Sequence, residues 1–320
     1  MKYFLEALKK LNPTDFVVLV FYVFLSLLNL VYYHRVEQWY LLILANVFLI
    51  AFIFIVSYYD ERLNSKLLRF IHNWYLIPLI FITFKELYMM IKPIRIVDCD
   101  QFLISIDRWL LHTDITVELY KIASPLLTEI LQISYATFFF LPVILGVELL
   151  LNKRTDEFRF ATFLIVYGFF LSFYGYFLAP AIGPRFTLHN FYSINADLPG
   201  LYLTNFLRDF VNAGESLRPG MLHPEAVVQR DVFPSGHTDM TLIVMYLSYK
   251  YKLKSRYFLI PNGLLLIFST LYLRYHYAID VIGGIAFMIF TVWSGKHVFN
   301  TWQRFRGIKE FSYKNNFKNK

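Results

Sequence analysis

One short stretch of the sequence combines small, titratable and helix-starting residues. Residues 233–238 read Phe-Pro-Ser-Gly-His-Thr and stand where a long polar loop meets an apolar run. A Ser and a Gly at the start of a helix leave backbone N–H groups pointing outward, and the helix dipole adds partial positive charge there. The pattern predicts that Ser235 and Gly236 bind a phosphate, with His237 as a titratable neighbour. An N-capping serine followed by an incidental histidine is the structural alternative.

A second polar pair stands before the last apolar run. His276 and Asp280 are four residues apart, so they share one face of a helix. A carboxylate that accepts a hydrogen bond from one ring nitrogen leaves the other nitrogen with an exposed lone pair, as a nucleophile or base requires. A capping aspartate beside a boundary histidine is the structural alternative.

Two arginines offer positive charge near these motifs. Arg185 follows residues 180–184, where two prolines and a glycine are expected to end a helix. Arg274 stands two residues before the second histidine. Guanidinium groups in these positions favour a bound anion.

Two other chemistries use the same side chains. His237, His276 and Asp280 supply three ligands for a metal such as zinc. Ser235 as nucleophile, with His276 as its base, would make an intramembrane serine protease. A neighbouring guanidinium favours an anion over a metal cation. The protease interpretation leaves that arginine and the second histidine without a role.

The rest of the chain has the composition of a membrane protein. Of its 320 residues, 57% are hydrophobic and 20% aromatic, and the net charge is +8. Inner connecting segments would carry more Lys and Arg than the longer outer ones, which predicts cytoplasmic termini and motifs that all fall on the extracytoplasmic side. The apolar runs that we consider candidate spans are residues 15–33, 39–58, 72–91, 124–150, 159–182, 236–249, 257–273 and 278–295.

These runs predict an all-α fold, a polytopic membrane bundle of about eight transmembrane helices. Two long outer segments, residues 92–123 and 183–235, carry apolar residues at helical spacing. We expect each to contain an amphipathic helix in the membrane interface, or alternatively a loop helix packed on the bundle. Lys85 and Glu86 lie near the outer end of a span, where we expect both side chains to snorkel.

The motifs together resemble the type 2 phosphatidic acid phosphatase superfamily, which also contains vanadium haloperoxidases. The family pattern has a Lys and Arg-Pro, then Pro-Ser-Gly-His, then an Arg, a His and an Asp. The resemblance covers residues 180–284 and implies a six-helix phosphatase-type core. It implies that His276 takes the phosphoryl group as phosphohistidine, that Asp280 orients it, and that His237 protonates the leaving oxygen. No metal and no cofactor would be needed, and the phosphate oxygens would be held by Arg185, Ser235 and the Gly236 amide.

The sequence departs from this family pattern at its cations. Leu178 stands where the family has its Lys, and Thr270 stands where it has the Arg of the third motif. Pro-Arg also replaces Arg-Pro. These departures look like the inositolphosphotransferase branch. We expect Arg274, with Arg230 or Lys85, to fill the vacant positions.

The resemblance implies an integral membrane phosphatase that acts on a phosphorylated lipid at the extracytoplasmic side. A phosphotransferase similar to inositol phosphorylceramide synthase would use the same site, with an alcohol in place of water. A non-catalytic binder or transporter of anionic lipids is a further alternative. The expected partners are membrane lipids and the lipid substrate, and no nucleic acid. The predicted divisions are N-terminal membrane helices with an interfacial helix (1–122), a catalytic bundle (123–300) and a basic cytoplasmic tail (301–320).

Overall fold

The computed structural model describes residues 2–63 and 65–312, and every regular element over them is a helix. Two of its turns are 3-10 helices, at Leu119–Ile122 and Phe191–Ser193. The α-helices in chain order are α1 (Lys2–Lys10), α2 (Pro13–Val31), α3 (Trp39–Leu63), α4 (Lys66–Trp74), α5 (Leu76–Ile94), α6 (Asp100–Leu111), α7 (Ile115–Glu118), α8 (Pro125–Ala136), α9 (Phe140–Leu151), α10 (Thr155–Leu178), α11 (Pro184–Thr187), α12 (Ile194–Asp197), α13 (Thr204–Gly214), α14 (Pro224–Val227), α15 (Gly236–Lys250), α16 (Arg256–Tyr272) and α17 (Ala278–Phe305).

The predicted all-α membrane fold is confirmed, with a smaller number of full-length spans. Within the described residues, five segments are long and apolar enough to cross a membrane, and the bent pair α8–α9 would make a sixth. The predicted spans at α15 and α16 have 15 and 17 residues. At 1.5 Å per residue they reach about 22 and 26 Å, short of a hydrocarbon core of about 30 Å. The five segments are Pro13–Val31, Trp39–Asp60, Lys66–Ile94, Thr155–Leu178 and Ala278–Phe305.

The chain folds as two compact units. Unit 1 comprises Met1–Glu86, Arg154–Tyr167 and Phe290–Lys320, and unit 2 comprises Leu87–Lys153 and Gly168–Ile289. All seven residues that the sequence assigned to the chemistry belong to unit 2. Of the predicted basic tail, the first residues belong to α17, and residues 313–320 lie outside the described part of the chain.

Within unit 1, Glu86 is buried and does not snorkel. It is 5% exposed, and its Oε1 accepts hydrogen bonds from Asn46 Nδ2 at 2.8 Å and Asn29 Nδ2 at 3.4 Å. Lys85 is exposed, as snorkelling requires. Successive helical residues point about 100° apart, so one lies on the packed face and its neighbour lies outside. The expectation that both side chains snorkel was therefore wrong for Glu86.

In unit 2, the amphipathic helix predicted within residues 92–123 is α6. Leu103 and Ile104 on its inner side belong to a buried cluster with Tyr277. Phe102 and Trp109 on its other side are 64% and 77% exposed. The inner face packs on the protein, and the outer face is of the apolar kind that a membrane interface covers.

The second amphipathic helix, α13, turns its arginine inward. Phe206 and Phe210 are each 69% exposed, whereas Arg208 is 5% exposed. The Glu129 carboxylate accepts hydrogen bonds from consecutive backbone N–H groups at the start of α13 and from the Thr204 hydroxyl. These bonds satisfy donors that a helix start leaves unpaired, so Glu129 anchors the N-terminal end of α13.

Candidate active site

The serine of the Pro-Ser-Gly-His motif caps α15. Ser235 Oγ accepts a hydrogen bond from the Thr238 backbone N–H at 3.2 Å, and its own N–H donates to the Asp280 carbonyl at 3.0 Å. A Cβ on Gly284 would lie 2.6 Å from the Ser235 carbonyl oxygen, so only glycine allows this close approach to α17. The Ser235 hydroxyl is fully buried, and the Thr238 hydroxyl also donates to it at 3.0 Å. It is engaged in the helix cap, which leaves the protease interpretation without an exposed nucleophile.

The second histidine lies in the tight turn between α16 and α17. Arg274 adopts a positive φ of 67° there. The Thr270 carbonyl accepts hydrogen bonds from the backbone N–H groups of Tyr275 and His276 at 2.9 and 3.0 Å. A left-handed residue just after a helix closes its last turn in this way, and the chain then reverses into α17.

Two aspartates of α6 hold the backbone around the site, and neither was predicted from the sequence. Asp107 accepts hydrogen bonds from the first backbone N–H groups of α17 at 2.8 and 2.7 Å. Asp100 accepts from the Gly183 N–H at 2.9 Å and the Tyr277 hydroxyl at 2.7 Å. Their seven-residue spacing on one helical face was the available signal, but their partners are distant in sequence.

Hydrogen bonding fixes the tautomer of His276. Its Nδ1 lies 3.0 Å from the Val232 carbonyl oxygen, which can only accept, so Nδ1 carries the proton. Asp280 Oδ2 lies 3.4 Å from the same Nδ1 and accepts the Tyr277 backbone N–H at 2.7 Å. Nε2 keeps its lone pair and faces Nδ1 of His237 at 3.5 Å. The carbonyl is thus a nearer orienting partner than the carboxylate that the spacing suggested.

A small pocket of about 20 Å³ opens at these two rings. That volume holds about one water, so a phosphoryl group needs the wall to move. The residues that line the pocket are Tyr135, Ile182, Arg185, Glu215, Asp231, Val232, His237, Tyr275 and His276.

The structure brings part of the predicted site to this pocket. Three of the predicted residues line it, namely Arg185, His237 and His276. Four others do not form its wall, namely Ser235, Gly236, Arg274 and Asp280.

The arginines expected at the vacant family positions have other partners. Arg274 Nη1 pairs with Asp197 Oδ2 at 2.7 Å, and Arg230 Nε pairs with Asp98 Oδ1 at 3.2 Å. Neither lines the pocket, and Lys85 belongs to unit 1. In the part of the chain that the structure describes, the pocket wall therefore holds a single guanidinium.

That guanidinium is already shared among acceptors. Arg185 is 4% exposed, its Nη1 donates to Asn212 Oδ1 at 3.0 Å, and its Nη2 pairs with the Glu215 carboxylate. Its Cζ lies 4.7 Å from the centre of the Tyr275 ring. Glu215 and Asp231 were not predicted as site residues. A carboxylate on the guanidinium occupies a position where a phosphate oxygen would bind.

The two imidazoles differ in their surroundings. The His237 ring centre lies 4.7 Å from the Tyr135 ring and 4.3 Å from the Phe138 ring. Burial lowers the pKa of His276 to about 4, so its ring is neutral near pH 7. Its Nε2 lone pair is therefore available for attack.

The side chains considered as metal ligands do not converge on one point. His276 turns Nδ1 toward Asp280 and Nε2 toward His237. Over residues 2–63 and 65–312, no group of three or more His, Cys, Asp or Glu side chains has an arrangement that could hold a metal ion.

The fold and the pocket define an all-α membrane protein with two imidazoles and a guanidinium around one small polar cavity. A family model described as the PAP2 superfamily matches residues 101–294, more than half of the chain, and the chain belongs to that superfamily. The predicted resemblance is confirmed. Membership implies phosphatase-type or phosphotransferase-type chemistry in general. No curated protein and no solved structure matches the chain.

Proposed function

We propose that the protein is an integral membrane phosphatase that removes phosphate from a phosphorylated lipid through a phosphohistidine intermediate. The observation that carries the proposal is the Nε2 lone pair of His276, which faces Nδ1 of His237 at 3.5 Å in a pocket walled by Arg185. A neutral imidazole, a second imidazole and a guanidinium supply the nucleophile, the acid–base group and the charge that phosphoryl transfer needs.

In the first step, Nε2 of His276 attacks phosphorus while the bond from phosphorus to the lipid oxygen breaks. His237, protonated when the phosphate dianion binds beside it, gives its proton to the leaving oxygen and an alcohol departs. Arg185 offsets the charge on the phosphoryl oxygens. The Nδ1 proton stays on the ring, held by the Val232 carbonyl, with the carboxylate of Asp280 near the developing positive charge.

In the second step, water replaces the histidine on phosphorus. His237, now neutral, takes a proton from the water as the oxygen attacks and the P–N bond breaks. Inorganic phosphate leaves, His276 is restored, and His237 releases its proton until the next phosphate dianion binds beside it.

The two rings have to separate for this chemistry. In-line transfer places the nucleophile and the leaving oxygen on opposite sides of phosphorus. A near-attack contact of about 3 Å and a hydrogen bond of about 3 Å to the leaving oxygen put the two ring nitrogens about 6 Å apart or more. The observed 3.5 Å between His276 Nε2 and His237 Nδ1 therefore lengthens when a phosphoryl group enters.

A lipid substrate is supported by what surrounds the pocket. Asn212, which accepts from Arg185, lies on α13. The same helix exposes Phe206 and Phe210, each to 69%. A helix that exposes phenylalanines on one face is of the kind that lies in a membrane interface. The distribution of Lys and Arg supports cytoplasmic termini and a pocket on the extracytoplasmic side.

The test is to trap the intermediate. Purified protein is given a lipid phosphate with a radiolabelled phosphoryl group, quenched, and assayed for acid-labile, protein-bound label. The wild type should carry label and release phosphate, and His276→Ala should do neither. His223→Ala is the matched control, because that side chain is 78% exposed and does not line the pocket. Equal labelling of wild type and His276→Ala would contradict the proposal.

Phosphotransfer is the second candidate for the same pocket. It is favoured by the departures from the phosphatase pattern at Thr270 and at Leu178, which is 71% exposed and supplies no cation. An alcohol would then replace water in the second step. Adding candidate alcohols and comparing free phosphate with transferred product separates the two reactions.

A further inference from the structure

A larger cavity of about 250 Å³ adjoins the candidate active site. It shares Arg185 and Tyr275 with the small pocket. Its volume is several times the share of one water in the liquid, about 30 Å³, so it has room for an anionic group with its hydration. The polar side chains on its wall include Arg185, Arg208, Arg218, Asn195, Asn212 and Asp209.

The charge on this wall is mainly positive. Arg208 is 5% exposed and donates to the Asn195 side chain and, at 3.0 Å, to the Leu198 carbonyl. Both acceptors are neutral, and no carboxylate of the described residues forms an ion pair with Arg208. A buried cation is costly unless a negative charge compensates it.

The charged neighbours of Arg208 have both signs. Asp209 acts on it with the opposite charge, whereas Arg274 and Arg185 act on it as like charges. Their own partners are Glu215 and Asp197, so those carboxylates are already engaged. Among the described residues that line this cavity, Asp209 is the one carboxylate, against the three arginines Arg185, Arg208 and Arg218.

We propose that this cavity is a second anion subsite, in which Arg208 and Arg218 bind a phosphate or carboxylate adjacent to the phosphoryl group that is transferred. The proposal rests on the proposed function, because Arg185 belongs to both cavities. The substrate is then a lipid with two neighbouring anionic groups, such as a diphosphate, and a simple monoester is the poorer substrate.

Binding is tested with small anions on the wild-type protein. Inorganic phosphate carries one anionic group, pyrophosphate adds a phosphate, and phosphonoacetate adds a carboxylate. Thermal-shift titrations should show pyrophosphate, phosphonoacetate or both binding about 10-fold more tightly than phosphate, because each charged hydrogen bond adds that order of affinity. Tighter binding of pyrophosphate identifies the second anionic group as a phosphate, and tighter binding of phosphonoacetate identifies it as a carboxylate.

Variants of the two arginines test whether this gain in affinity over phosphate comes from the larger cavity. Arg218→Gln, at an exposed position, should reduce the advantage of the gaining anion over phosphate about 5-fold. Arg208→Lys keeps a charge at the buried position but loses the planar fork, and should reduce the advantage as well. Arg35→Gln removes one exposed charge in unit 1 and should leave the advantage as it is. Equal affinity of the wild type for all three anions would overturn the subsite, and so would an advantage that survives both variants.

Turnover separates a failure of the subsite from a failure of the proposed function. A lipid diphosphate and the monophosphate with the same tail are compared by kcat/KM. We expect a preference for the diphosphate of about 10-fold in the wild type, and a smaller ratio in Arg218→Gln. If phosphate is released from the monophosphate as efficiently as from the diphosphate, the subsite is overturned and the proposed phosphatase activity is not. No release from either lipid, with pyrophosphate still bound more tightly, overturns the phosphatase and upholds the subsite.

Discussion

Replacing Glu215 by Gln should make the pocket bind an anion more tightly. The Glu215 carboxylate pairs with Nη2 of Arg185, and its side chain is only 15% exposed. A phosphate that enters the pocket has to displace this carboxylate or lie next to it. Gln keeps the size and the hydrogen-bonding capacity of the side chain while it removes the negative charge. Most substitutions beside a binding site weaken the binding of its ligand. A gain in anion affinity would therefore point specifically to competition between Glu215 and the anion.

The size of the gain follows from the charges. Two unit charges about 4 Å apart interact by about 4 kcal/mol at an effective dielectric constant of 20. A hydrogen bond to a charged group contributes about 1.5–3 kcal/mol net. Glu215 lies on the pocket wall, so the smaller range applies. Since about 1.4 kcal/mol is tenfold in affinity, Glu215→Gln should bind the anion about 10- to 100-fold more tightly.

Vanadate, which mimics pentavalent phosphorus, is the probe. Its inhibition constant is measured from initial rates of phosphate release at fixed pH, and a thermal-shift titration with phosphate gives an independent reading. Glu225→Gln is the control: that carboxylate is 49% exposed, pairs with His223 at 3.2 Å and lies away from the pocket. The control should stay within about twofold of wild type. If Glu215→Gln binds vanadate no better than wild type, the carboxylate does not compete for the guanidinium and the reasoning fails.

Three further predictions concern the histidines and the packing of the motif. His237→Ala should slow release from an alkyl phosphate by about 10²–10⁴-fold but affect an aryl phosphate much less, because an aryl oxide leaves without a proton; equal losses in kcat would contradict its role as acid. Burial lowers the pKa of His276 to about 4, so the neutral nucleophile persists as the pH falls toward that value, and a pH profile of kcat/KM should show no loss of the nucleophile near pH 6.5. Gly175→Ala would place a Cβ 2.3 Å from Pro234 Cδ and should lower the stability by about 1–3 kcal/mol, whereas Gly214→Ala, with nothing within 4 Å, should keep the Tm of wild type.

The fold class and the family could be predicted because both depend on local patterns. Long apolar runs identify membrane helices wherever they pack. The Ser235 cap and the start of α15 at Gly236 agree with the predicted helix start. His276 and Asp280 also lie within 3.4 Å of each other, but they do not share a helical face as the spacing predicted, because His276 lies in the turn before α17.

The acidic side chains of the site could not be predicted in the same way. Glu215 reaches Arg185 from a different segment, and Asp100 reaches Gly183 across 83 positions of sequence. Nothing in the local pattern distinguishes such carboxylates from ordinary charges of a polar loop. The four-residue spacing predicts the Asp280 carboxylate as the partner of His276, although the Val232 carbonyl, which no side-chain pattern reveals, lies closer.

Histidines in unit 1 show the same limit. The spacing of the sequence gives His72 no partner. In the structure its Nε2 lies 3.0 Å from Asp15 Oδ2 and its Nδ1 lies 2.8 Å from Asp60 Oδ2. Asp15 is 57 positions away in the sequence. Asp60 is nearer, but it comes within reach only because the chain reverses between α3 and α4, which the sequence pattern does not specify.

Access to Arg185 depends on the far end of α13. The Arg185 guanidinium has two side-chain acceptors. Asn212 lies within the last turn of α13, and Glu215 caps the C-terminus of that helix. Freeing the guanidinium for a phosphate therefore means displacing these two side chains, while Glu129 holds the other end of the helix by its hydrogen bonds to the backbone. The exposed aromatic residues lie on the same helix. Under the proposed function, a lipid that contacted them would therefore bind to the same helix that carries Asn212, one of the acceptors of Arg185.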